Sequence, residues 1–180
     1  MLRNIFFYGV IAGVIVAIPT FGLTVLLKDH PPEQYGLLIG YTTMLVALSA
    51  IFVAIKRHRD VEGGGVIRFW PALMLGLGVS VVAGVFYCVA WEAALAVTGM
   101  DFGADYAQAY IEAEKAKGVS GAALAKLTAE MEAFKVQYAN PLYRVPMTFT
   151  EIFPLGVLVS LVSAALLRNS RFLPARGAVQ

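Results

Sequence analysis

The chain has 180 residues, of which 59% are hydrophobic and 14% charged, with a formal net charge of +2 and a mean hydropathy of +0.72. That balance lies well outside the soluble globular range and excludes an ordinary water-soluble domain. The small, scattered positive charge also excludes a nucleic-acid footprint, which needs a basic stripe on a water-facing surface.

A bilayer core of about 30 Å takes about 20 helical residues to cross. The first apolar run, residues 5–27, meets that length and follows Arg3. A basic residue before an apolar stretch imitates a secretion signal, but no small-residue cleavage site interrupts the run, so a retained helix is expected. Neither the opening Met1-Leu2-Arg3 nor the closing Ala178-Val179-Gln180 offers a lipidation box. His30-Pro31-Pro32 cannot continue a helix and closes the first hairpin.

The second run, residues 36–55, ends on Lys56-Arg57-His58-Arg59. Such a cluster also fits a nuclear address or an anionic-lipid site. Directly after a span, its plainest role is a topology anchor formed by Lys56, Arg57, Arg59 and Arg68. Gly63-Gly64-Gly65 reads as a flexible linker and not a phosphate loop, because no Gly-Lys-Ser/Thr follows and no strand precedes it. Pro71 then restarts a helix within its first turn, opening the third run, residues 69–97. Cys88, the single cysteine, lies inside that run and reads as a small packing residue.

Between Gly99 and Pro146 the composition turns to Ala, Glu, Lys and Tyr. Tyr106, Ala109, Tyr110 and Ala113 share one helical face, and Leu124, Leu127, Met131, Phe134 and Tyr138 share another. Gly118 to Gly121 forms the turn, Ser120 is a potential N-cap, and Asn140-Pro141 ends the second helix. This helical hairpin, residues 101–140, is too small to bury its own core. Its apolar face must rest on the bundle, on the bilayer surface or on another protein. The fourth apolar run, residues 147–167, completes the set.

The expected architecture is an all-α integral membrane protein. It is a single membrane domain over residues 1–180, a four-transmembrane-helix bundle with an extramembrane hairpin between the third and fourth spans. Arg3, the basic turn and Arg168, Arg171 and Arg176 share one side, whereas the other side holds Lys28, Asp29, Glu33 and the charge-balanced hairpin. In a bacterial inner membrane this places both termini in the cytoplasm. Small residues four apart recur in every span: Gly9 and Gly13; Gly36 and Gly40; Gly76, Ser80 and Gly84; Gly156, Ser160 and Ala164. Lipid gives helices little hydrophobic reason to associate, so these faces are expected to pack. A spare small face leaves a homo-oligomer or a membrane-protein partner open.

Three stretches carry a family resemblance. They are Gly40 to Leu48 continuing to Lys56-Arg57-His58-Arg59-Asp60, then Arg68-Phe69-Trp70-Pro71-Ala72-Leu73, and Thr148-Phe149-Thr150-Glu151-Ile152-Phe153-Pro154-Leu155-Gly156. In this order they resemble a bacterial membrane family catalogued as domain-of-unknown-function family 4199. The resemblance covers almost the whole chain. It implies a four-span inner-membrane protein with a variable outer segment, and it carries over no catalytic residue, ligand or reaction.

Chemistry is therefore sought in the residues themselves. Charge inside a bilayer costs at least about 2.5 to 3.5 kcal/mol, so Glu92 and Glu151 are the leading candidates. Both sit about one turn below the outer surface, within reach of Arg144 and Lys28. Tyr41, Thr20 and Thr24 come to a similar depth, giving a candidate intramembrane polar site. Pro19 and Pro154 add freed backbone carbonyls. The plain alternative is a pair of glutamates that mark helix ends, with Trp91 as an interfacial belt residue. Glu151 is also about 140° around the helix from Gly156, away from the packing face.

No catalytic apparatus is legible. His30 and His58 fall on opposite sides, no His-Glu-x-x-His pair is present, and Ser80 has no histidine in any span to activate it. No enzyme, metal or cofactor is expected. The favoured expectation is a non-catalytic accessory or partner-binding membrane protein. The alternative is a small oligomeric transporter or binding protein that uses Glu92 and Glu151 for protons, cations or a lipid-like molecule.

Overall fold

A computed structural model describes residues 1–28 and 35–175, and no strand occurs among them. Six α-helices follow in order: α1 (Leu2–Leu26), α2 (Gly36–Arg57), α3 (Phe69–Thr98), α4 (Phe102–Ala116), α5 (Gly121–Tyr138) and α6 (Pro141–Leu167). A π-helical turn, His58–Glu62, extends α2. Helices α1, α2 with its turn, α3 and α6 are long and apolar enough to cross a membrane, at 25, 27, 30 and 27 residues. At about 1.5 Å per residue each exceeds the hydrocarbon core, so their ends project into the interface. The expected turn at His30-Pro31-Pro32, with Asp29 and Glu33, lies outside the described residues, as does Arg176.

Small residues set the packing around α3, the most buried span. Helix α1 runs parallel to it in constant register, Ile5 lying on Gly78, Gly9 on Val82 and Gly13 on Phe86. Helix α6 runs antiparallel, with Phe149 on Gly84, Gly156 on Ser80 and Ser160 on Gly76. A Cβ added at Gly13 would meet Phe86 Cγ at 2.5 Å, and one at Gly156 would meet Ser80 Oγ at 2.6 Å, so both contacts need a bare backbone. The Ser80 and Ser160 hydroxyls return to the carbonyls of Gly76 and Gly156, at 2.9 and 2.7 Å, which leaves the seam dry without stranding a donor. Ala164 is fully buried on the same face.

The small pair in α2 departs from this rule. Nothing lies within 4 Å of a Cβ at Gly40, and Gly36 is exposed. Gly40 therefore packs against no neighbouring helix; it borders open space.

The basic turn also differs from expectation. Arg57 and Arg68 are exposed as anchors should be, but Arg59 is 0% exposed. Its guanidinium donates to Asp60 at 2.7 Å, to the Phe172 carbonyl at 2.9 Å and to the Leu173 carbonyl at 2.5 Å, and it lies 3.4 Å from the Leu167 carbonyl. Arg59 thus caps the C-terminal end of α6, where carbonyls lack helical partners and carry partial negative charge. Lys56 is half-buried and pairs with Asp60. The π turn brings His58 and Glu62 onto α1, where buried Asn4 donates to Glu62 at 2.8 Å and lies 3.3 Å from His58 Nδ1. The glycine run is a defined turn and not a loose linker: Gly64 and Gly65 take φ of +58° and +87°, a region that favours glycine. Gly65 N–H closes the turn on the Arg59 carbonyl at 2.9 Å.

The fourth span starts earlier than the expected residue 147. Asn140 caps α6 by accepting from the Leu142 N–H at 3.0 Å, and Pro141 occupies the first helical position, where a missing N–H costs nothing. The pair that ends α5 therefore also begins α6.

Candidate functional site

The hairpin and the span ends nearest to it meet in one polar and aromatic node. Arg144, in the first turns of α6, reaches α3 and donates from Nε and Nη2 to the two carboxylate oxygens of Glu92, at 2.6 and 2.5 Å. Two parallel charge-assisted bonds fix both planes. Arg144 Nη1 also donates to the Tyr138 carbonyl at 3.2 Å, and its guanidinium lies 5.7 Å from the Tyr138 ring centre. The antiparallel run of α3 and α6 dictates this pairing, since Glu92 leads the outer end of one helix where Arg144 opens the other.

Tyr138 joins the hairpin to this clamp. It is 5% exposed, and its hydroxyl accepts from Trp91 Nε1 at 2.9 Å. Burial pushes its phenol above the ordinary value. Phe102 sets its ring edge-on to Trp91 at 5.0 Å and tilted against Tyr138 at 5.5 Å. Trp91 is thus an anchor for the hairpin as well as a belt residue.

Within the hairpin, Leu124, Leu127, Met131, Phe134 and Tyr138 form the less exposed face of α5, as their spacing predicts. Helix α4 is rotated from expectation: Gly103 and Ala107 are its buried positions, whereas Tyr106 and Tyr110 stack on its flank, 45% and 40% exposed. The cause is close packing, because a Cβ at Gly103 would touch the Tyr138 side chain at 3.4 Å. Ser120 occupies the N-cap position of α5 without a side-chain bond. The apolar faces of α4 and α5 pack on each other, as Tyr106 does on Phe134 at 5.5 Å, and the base of the hairpin meets the bundle through Phe102 and Tyr138 against Trp91.

Glu151 has a separate partner. The Tyr87 hydroxyl donates to it at 2.7 Å, and Glu151 itself is exposed on the outer side of α6, as the 140° offset from Gly156 implies. Glu92 and Glu151 therefore bond to different side chains, Glu92 to Arg144 on α6 and Glu151 to Tyr87 on α3. Tyr41 is 51% exposed. Thr20 and Thr24 return their hydroxyls to the carbonyls of Val16 and Thr20, at 2.8 and 2.7 Å. Cys88 is buried with its sulfur toward the Val145 carbonyl, a packing position. Among the described residues no group of three or more His, Cys, Asp or Glu side chains could hold a metal ion.

Tyr87 is the residue that sequence reasoning missed. A tyrosine within an apolar span needs an acceptor for its hydroxyl, and the only acids in the spans were already in view.

A cavity of about 540 Å³ lies beside this node, between α1, α2 and α3 beneath α4. Thr20, Thr24 and Gly40 line it, together with Tyr87, Trp91 and Tyr106; neither Glu92, Glu151 nor Tyr41 does.

A family model described as "Protein of unknown function (DUF4199)" matches residues 7–169. No curated protein matches the chain, and no solved structure matches it.

Proposed function

Because the chain belongs to the DUF4199 family of proteins of unknown function, with four helices able to cross a membrane, we propose that it is a non-catalytic accessory membrane protein that presents its hairpin to a partner. The supporting observation is the Glu92–Arg144 clamp. Two charges placed near the membrane interface join α3 to α6, with Arg144 also donating to the Tyr138 carbonyl at the end of α5, and neither carboxylate faces a common cavity. The outer faces of α4 and α5 remain in contact with solvent, and their charges pair locally as Lys117 with Glu114, Lys126 with Glu130 and Lys135 with Glu132. Such a surface is soluble on its own and available to a membrane-protein partner or a second copy. The distribution of Arg3, Arg57, Arg68, Arg168 and Arg171 supports both termini on the cytoplasmic side and the hairpin outside, in what we take to be a bacterial inner membrane.

The alternative, proton or cation transfer through Glu92 and Glu151, receives less support, since Arg144 and Tyr87 already engage the two carboxylates. Two measurements separate the readings. In vesicles with a trapped pH dye, the protein is expected to leave proton leak unchanged and Glu151→Gln to do the same. A photocrosslinking residue at Val136, 71% exposed on α5, is expected to give one discrete protein adduct in the native membrane, lost when Arg144→Ala frees the hairpin. A flux that Glu151→Gln abolishes, or an adduct indifferent to Arg144, overturns the proposal.

A further inference from the structure

We infer that the cavity under α4 is a binding site for one acyl chain of a zwitterionic phospholipid, with the headgroup held between Lys28 and Asp105 at its rim. The size fits. At about 30 Å³ per water-sized group, 540 Å³ holds a chain of about 18 such groups, within the usual range of small-ligand sites, about 300 to 1,000 Å³.

The walls select what enters. Leu23, Ile39 and Met44 are apolar, and four of the polar lining groups spend their donors inside the protein. Thr20 and Thr24 bond to their own helix, Tyr87 to Glu151 and Trp91 to Tyr138. Water needs two to four polar partners to occupy a buried site, so a cavity with committed donors favours hydrocarbon. Gly36 and Gly40 both line the space, and nothing lies within 4 Å of a Cβ at Gly40. An aromatic roof comes from Phe102 and Tyr106 on the clamped hairpin.

The rim supplies the headgroup chemistry. Lys28 follows the outer end of α1, and Asp105 sits in the first turn of α4; both line the cavity and both are exposed. One cation and one carboxylate at the mouth of an apolar slot match the phosphate and the amine of phosphatidylethanolamine. Phosphatidylglycerol offers the phosphate alone.

The test is native mass spectrometry of the full chain released from micelles containing equal amounts of palmitoyl-oleoyl phosphatidylethanolamine and phosphatidylglycerol. One phosphatidylethanolamine per chain is expected, favoured about fivefold, the contribution of one charged contact near a membrane surface. Asp105→Asn should remove the preference, and Lys28→Gln should weaken retention of both lipids about fivefold. Gly40→Phe should reduce retention about tenfold or more by filling the slot, while Gly40→Ala, whose methyl meets nothing within 4 Å, should retain the lipid. The Asp105 and Lys28 variants alter exposed side chains and stand even where Gly40→Phe fails to fold. Retention equal for both headgroups, preference unchanged by Asp105→Asn, or loss of all lipid from the native chain overturns the assignment. Retention by a folded Gly40→Phe protein reports annular lipid only and does the same.

Discussion

Replacing Arg59 with alanine is expected to destabilise the protein by about 3 to 5 kcal/mol, the usual penalty for breaking a buried, hydrogen-bonded charge pair. The side chain is 0% exposed and satisfies Asp60 together with carbonyls of Phe172 and Leu173 after α6. Its loss strands the buried carbonyl acceptors and leaves Asp60 to Lys56 alone. Arg59→Lys should recover only part of the loss, because an ammonium cannot span the same fork of acceptors. Arg68→Ala, an exposed basic residue in the same turn, should change stability little. Loss of helical signal on titration of micelle-bound protein with denaturing detergent measures all three. A penalty at Arg59 no larger than at Arg68 contradicts the cap.

Arg144→Leu is expected to release the hairpin while leaving the four-helix bundle folded. The Glu92–Arg144 side chains are 29% and 15% exposed, so solvent screens the pair only in part. A penalty of about 2 to 3 kcal/mol follows from losing two charged hydrogen bonds and leaving Glu92 without a counter-ion. Amide exchange should accelerate across α4 and α5 but not across the seam between α3 and α6, which small residues hold independently. Glu92→Gln combined with Arg144→Leu should restore much of the protection, because removing both charges avoids the unpaired one. Exchange rates unchanged by Arg144→Leu, or the double variant worse than either single one, contradict the clamp.

How far the sequence carried the fold is clear from particular elements. Apolar length alone placed the four membrane-crossing helices, and small residues four apart marked the real contact faces of α1, α3 and α6, since bare backbone is what lets helices approach in lipid. The same spacing misled at Gly40, because a small face is permissive and does not guarantee a neighbour. Arg59 was read from its position after a span as an anchor; its capping of α6 joins positions 108 apart in the sequence. Glu92 and Glu151 stood out as charges in apolar runs, and Arg144 was in reach of Glu92, but the division of partners was not legible. It follows from the antiparallel register of α3 and α6, which assigns Arg144 to Glu92 and Tyr87 to Glu151. The cavity was hidden for the same reason, as open space is a property of three helices together.

Side-specific labelling tests the central claim, a chain threaded through a bilayer with its hairpin and its basic turn on opposite faces. Single cysteines replace Ala123 in the hairpin and Val66 in the turn, both exposed, on a Cys88→Ala background. Sealed vesicles of one orientation are treated with a membrane-impermeant maleimide before and after permeabilisation. One position should label at once and the other only after the membrane is opened; simultaneous labelling of both in intact vesicles contradicts the threading.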